Sequence, residues 1–92
     1  MASKNSSLKI FAKRIRLLRE LQSFTQHDLG KKINVATTTY SGYENAAREP
    51  NFEKLNNIAD FFGVSVDYLL GRTDIFLPYY NAKCDMEDEN VG

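Results

Sequence analysis

Three consecutive threonines, Thr37, Thr38 and Thr39, open a short segment that closes on Tyr43-Glu44-Asn45. A threonine hydroxyl can donate or accept a hydrogen bond, and its methyl group packs on apolar surface. That pairing suits the edges of DNA bases, where the hydroxyl meets several bases and the methyl meets thymine. Threonine lacks the two-pronged reach of Arg, Asn or Gln. Each contact then discriminates near the low end of ~1–3 kcal/mol, and DNA shape carries a larger share. A threonine is also welcome at a helix start, but three β-branched residues in a row are poor helix formers.

Other chemistry is thin. His27 has no Cys, Asp or Glu set around it at metal-ligand spacing and is expected to be a solvated helix residue. The single cysteine, Cys84, lies in an acidic stretch that would raise a thiol pKa, so it is no nucleophile. There is no Gly-rich phosphate loop. An enzyme is not expected, and neither is a cofactor or metal. The lone cysteine, a polar N-terminus and the lack of a long apolar run point to a reducing cytoplasm and away from a membrane.

Net charge is zero over 92 residues, yet it is unevenly distributed. Residues 1–50 hold nine Lys and Arg against four Asp and Glu, whereas residues 51–92 hold three against eight. A basic half beside an acidic one keeps a nucleic-acid partner open.

The elements that must position the threonines follow from spacing. Met1–Ser7 reads as a flexible leader. Leu8, Phe11, Ala12, Ile15, Leu18 and Leu21 fall at helical intervals, with Lys9, Lys13, Arg14, Arg16 and Arg19 between them. This first helix ends near Gln22 and Ser23, and Leu17 with Leu21 makes a second apolar strip. Thr25 is an N-cap with Asp28 reaching back and Phe24 stapling onto Leu29, so a second helix spans Gln26–Ile33. Asn34 tolerates left-handed geometry and closes it. Gly30 stands mid-helix, where a close approach by the next helix would explain it. A third helix spans Thr37–Asn45, anchored by Val35, Tyr40 and Tyr43, with Thr37, Thr38, Ser41 and Gly42 outward. Asn51 caps a fourth with core residues Phe52, Leu55, Ile58, Ala59 and Phe62, closed by Gly63. Ser65 caps a fifth, Val66–Leu70, closed by Gly71. The domain is all-α, over residues 8–71, and residues 72–92 form an apolar then acidic tail.

The run RIRLLRE, TQHDLGKKINV, TTYSGYEN, a proline and LNNIADFFGVSVDYLLG resembles the lambda-repressor-like, Cro-type (XRE) helix-turn-helix domains over about Phe11–Gly71. The resemblance implies a compact five-helix fold whose third helix enters the major groove. It implies that Thr37, Thr38, Ser41 and Gly42 read base edges, and that Arg14, Gln26, Thr39, Asn45 and Arg48 contact phosphates. Arg19 and Glu44 match a structural salt bridge. Two departures stand out. Ala36 replaces the usual Ser or Thr cap, so either Thr37 caps instead or the helix start is weaker. Gly42 has no side chain, so its contact is lost or passes to Ser41.

One small domain buries too little DNA contact for tight specific binding, so two half-sites and a symmetric dimer are expected. The resemblance places the interface on the last helix, at Val66, Leu69 and Leu70, extended by Ile75 and Phe76. The segment IFLPYY (residues 75–80) could instead fold back on Leu17 and Leu21. The implied function is a sequence-specific double-stranded DNA-binding transcriptional regulator, a repressor of a (pseudo)palindromic operator. The alternatives are an antitoxin-type module whose acidic tail binds a protein partner, and an adaptor that has lost DNA binding.

Overall fold

The computed structural model describes residues 4–75, with side chains from Ser7 onward. Among these residues lie five helices and no strand: α1 (Lys4–Leu21), α2 (Gln26–Ile33), α3 (Thr37–Glu44), α4 (Phe52–Phe62) and α5 (Val66–Leu69). Helix α1 begins at Lys4, four residues before the expected Leu8 and inside the stretch read as a leader. No Gly or Pro intervenes, and extending a nucleated helix gains a hydrogen bond for each residue fixed.

All five helices feed one core. Phe11 and Ile15 from α1, Leu29 and Ile33 from α2, and Tyr40 and Tyr43 from α3 pack with Ile58 and Phe62 from α4 and Leu69 from α5. Two expected core residues do not reach it. Leu21 is 71% exposed because the last turn of α1 runs past the core's edge. Phe52 is 85% exposed because it is the first residue of α4, and helical side chains lean toward the N-terminus, here away from the core. Leu17, beside Leu21, is 49% exposed. The helical period continues where there is nothing left to pack on.

Local caps set the boundaries. The Thr25 hydroxyl accepts from the Asp28 N–H at 3.0 Å, and the Asp28 carboxylate accepts from the Thr25 N–H at 3.0 Å. Asn51 accepts from the Lys54 N–H at 2.8 Å and Ser65 from the Tyr68 N–H at 3.0 Å. Every described helix also closes in one way, on a residue with positive φ: Ser23 (62°), Asn34 (63°), Ala46 (60°), Gly63 (70°) and Gly71 (82°). The N–H after each of these bonds the carbonyl five residues back, at 2.8–3.2 Å, the Schellman arrangement. Ser23 and Ala46 hold this geometry without a glycine, and left-handed backbone costs an L-residue ~1–2 kcal/mol.

The sharp turn from α2 to α3 is held from both sides. A Cβ on Gly30 would lie 2.9 Å from the Val35 carbonyl oxygen and 3.5 Å from Thr37 Cα, so only glycine lets α3 begin this close. From α4, Lys54 Nζ donates to the Ile33 and Asn34 carbonyls at 3.2 and 3.4 Å. A cation there satisfies the open C-terminal end of α2.

Candidate nucleic-acid interface

Helix α3 shows one side to the core and one to solvent. Tyr40 is 0% and Tyr43 5% exposed on the inner side. Thr37 and Thr38 are exposed on the outer side, while Thr39 and Ser41 are half-buried. Ala36 occupies the N-cap in extended geometry without a side-chain cap bond. The first-turn N–H groups therefore have neither an intrahelical partner nor a side-chain cap.

Behind this face lies a polar network inside an apolar shell. Arg19 donates from Nε to Glu44 Oε2 at 2.6 Å and from Nη2 to Oε1 at 3.0 Å. A third donation goes from Arg19 Nη1 to the Phe24 carbonyl at 2.9 Å. Gln26 Nε2 donates to Glu44 Oε1 at 3.0 Å. The two charged side chains are only 13% and 2% exposed. Burial alone would push the Glu44 carboxyl up, but the bonds from Arg19 and Gln26 hold it below its ordinary value. The bond to Glu44 in turn raises the Arg19 pKa against the opposing effect of burial. Burial first, and then the Glu44 carboxylate, push the Tyr40 hydroxyl far above the usual tyrosine range. This network fixes α1, α2 and α3 to one another, joining the start of α2 at Gln26 to the end of α3 at Glu44.

Several expected site residues are placed differently. Arg14, assigned to phosphate, donates instead to the Tyr68 and Thr73 carbonyls at 2.6 and 2.8 Å and to Asp74 at 2.8 Å. Its guanidinium carbon also lies 4.2 Å from the Tyr68 ring centroid. It is a clasp across α1 and α5, with three donations made within the domain. Gly42, expected on the outward face, carries the stem of Arg48: an added Cβ would meet Arg48 Cγ at 2.7 Å and Cδ at 2.8 Å. Arg48 therefore covers the position where a side chain is missing. Leu69, expected at a dimer interface, is 0% exposed because it points into its own core.

The remaining assignments lie at the surface. Asn45 and Arg48 are exposed, Gln26 is half-buried, and Asn45 Nδ2 reaches Ser41 Oγ at 3.5 Å. Val66 and Leu70 are half-buried and Ile75 is 71% exposed. Leu70 lines an apolar groove of about 560 Å³ with Leu8, Phe11, Pro50, Phe52 and Leu55. Phe76, the rest of IFLPYY, the acidic tail and Cys84 lie outside the described residues. One contact was missed in the sequence: His27, read as merely solvated, has Nδ1 3.1 Å from Thr37 Oγ1. Its only sequence signal is its place one residue into α2, on the turn that faces the start of α3. Among the described residues no group of His, Cys, Asp and Glu could hold a metal ion, and no helix is long and apolar enough to cross a membrane.

Comparison with known proteins agrees with this architecture. A family model described as helix-turn-helix matches residues 15–69. An uncharacterized HTH-type transcriptional regulator of Bacillus subtilis, YobD, is 40% identical over 65 residues, covering 71% of this chain and 58% of that protein. The HTH-type transcriptional regulator ImmR of the same organism is 32% identical over 63 residues, covering 68% and 50%. The match thus spans about half the length of these relatives. Among solved structures, the P22 c2 repressor in complex with a synthetic operator superposes with a TM-score of 0.63 at 35% identity, covering 65% of this chain and 91% of that one.

Proposed function

Because the chain belongs to the helix-turn-helix family, in its lambda-repressor-like branch, we propose that it binds double-stranded DNA sequence-specifically and regulates transcription as a repressor. Helix α3 enters the major groove, Thr37 and Thr38 meet base edges, and Ser41 follows at the edge of the contact. The observation that carries this reading is the pair of exposed threonines at the head of a helix whose rear is bolted to α1 and α2 through Glu44. A rigid rear suits a helix that must present short side chains accurately. The uncapped first turn of α3, at Thr37–Thr39, offers backbone N–H groups to a phosphate. Gln26, Asn45 and Arg48 offer phosphate contacts from the other end of the helix, where Gln26 bonds Glu44, Asn45 is the C-cap and Arg48 lies on Gly42. Lys31, Lys32 and Arg48 are exposed and supply positive charge, whereas Arg14 does not.

The operator is palindromic and is read by a symmetric dimer. The groove beside Phe52 and Leu70, with Val66 and Ile75 near it in the chain, offers the apolar surface a second copy would cover. The test is selection of bound duplexes from a random pool, followed by a salt titration on the winner. A palindromic consensus is expected. If all three cations of each protomer neutralise phosphates, log K against log salt has a slope of about −5. Sequence-indifferent binding, or none, refutes the reading.

A further inference from the structure

His27 of α2 and Thr37 of α3 meet through their side chains at 3.1 Å, and both are exposed. Ala36, not Thr37, occupies the N-cap, so the Thr37 hydroxyl is not drawn into capping its own helix. We propose that His27 is a positioning residue for base recognition: it decides whether the Thr37 hydroxyl faces DNA as a donor or as an acceptor. The proposal rests on the reading of α3 as the recognition helix and adds a chemical rule to it.

The rule follows from what each group can do. A hydroxyl has one proton to give and two lone pairs to receive with. In the neutral imidazole with its proton on Nε2, Nδ1 is an acceptor and takes the Thr37 proton. Oγ1 then presents only lone pairs outward, which complement the amino group of cytosine N4. In the imidazolium both ring nitrogens carry protons. Nδ1–H then donates to Oγ1, and the hydroxyl proton is released toward a base acceptor such as thymine O4. Acid favours the imidazolium and alkali the neutral ring, so the preferred base at this position depends on pH.

The surroundings allow the switch. The charged neighbours on α2 are Asp28, whose carboxylate is held by Thr25, and Lys31 one turn on. Facing from α3 is the uncharged Thr37. Arg19 and Glu44, behind Gln26, are paired with each other, and Lys54 from α4 engages the far end of α2.

The test uses the full chain and the selected duplex, with cytosine or thymine placed at the base that Thr37 contacts. Affinities are measured at pH 5.5 and pH 8.0. The wild type is expected to favour thymine at the lower pH and cytosine at the higher, with the ratio changing about fivefold, the low end for one base contact. His27→Ala, an exposed substitution, should bind the same operator with a ratio independent of pH, whereas Thr37→Val, which removes the reading hydroxyl, should bind more weakly and lose the preference between the two bases at both pH values. A wild-type ratio that ignores pH, or a pH dependence that survives His27→Ala, overturns the proposal. If no duplex is preferred at any pH, the reading of α3 fails first and takes the proposal with it.

Discussion

Replacing Glu44 by alanine tests what holds the recognition helix in place. The substitution removes two donations from Arg19, at 2.6 and 3.0 Å, and one from Gln26 at 3.0 Å. Arg19 would remain only 13% exposed, with the Phe24 carbonyl at 2.9 Å as its surviving close partner. Breaking a buried pair on one side costs ~3–5 kcal/mol, because the orphaned charge stays desolvated. Glu20 lies 4.0 Å from the Arg19 guanidinium and can take up part of the loss, which favours the lower end. A loss of ~3 kcal/mol is a large fraction of the ~5–15 kcal/mol of a small domain. It corresponds to a fall of ~12–25 °C in melting temperature. The double variant Arg19→Met/Glu44→Leu removes both charges and fills the space with apolar groups, so it should be more stable than Glu44→Ala. Thermal and urea unfolding followed by circular dichroism measure both. If Glu44→Ala melts within 2–3 °C (on the order of 0.5 kcal/mol) of the wild type, the pair does not brace the fold. If the double variant is no more stable than Glu44→Ala, the loss lies in packing and the electrostatic account is wrong.

The same carboxylate gives a pH dependence: its folded pKa lies below the ordinary 4.5, so its contribution is complete above that value and is lost as pH falls through the folded pKa. Urea titrations from pH 7 down to pH 3 should show this acid loss shrink in Arg19→Met/Glu44→Leu. The two helical glycines should respond oppositely to alanine. Gly30→Ala forces a Cβ to 2.9 Å from a backbone oxygen and should destabilise by more than the ~1 kcal/mol that helix propensity returns. Gly42→Ala meets only the flexible stem of Arg48, so the melting temperature should hold or rise while DNA affinity falls as Arg48 is displaced. Ala46→Gly relieves left-handed strain of ~1–2 kcal/mol and gives back ~0.5–1 kcal/mol in chain entropy. A net gain of several tenths of a kcal/mol is expected in urea unfolding, and a loss would mean that the Ala46 methyl contributes packing.

Local chemistry was legible in the chain and long-range placement was not. The bounds of α2 follow from Thr25, Asp28 and Asn34 because those residues act on backbone within four positions of themselves. The pairing of Arg19 with Glu44 spans 25 residues and came from family register, not from spacing. Periodicity assigned Leu21 and Phe52 to the core, and both are exposed, because a period does not say where the opposing surface ends. Arg14 carried the right charge for phosphate, and only the return of the chain after α5 shows its three donations within the domain. The contacts of Gly42 and His27 were not legible for a related reason, although His27 is the exposed helix residue expected. The residues that meet them, Arg48 and Thr37, come from separate turns of the chain.

The clasp made by Arg14 bears on how the domain comes apart. Helix α5 has four residues, far short of what sustains a helix in water. Its order is lent by the Ser65 cap, by Leu69 in the core, and by a guanidinium from α1 that reaches 54 to 60 residues along the chain. Contacts of such long sequence separation close the domain into a ring, with its first and last described helices fastened together. The two ends are therefore one cooperative unit: whatever loosens α1 releases α5 and the segment Thr73–Asp74 that Arg14 holds.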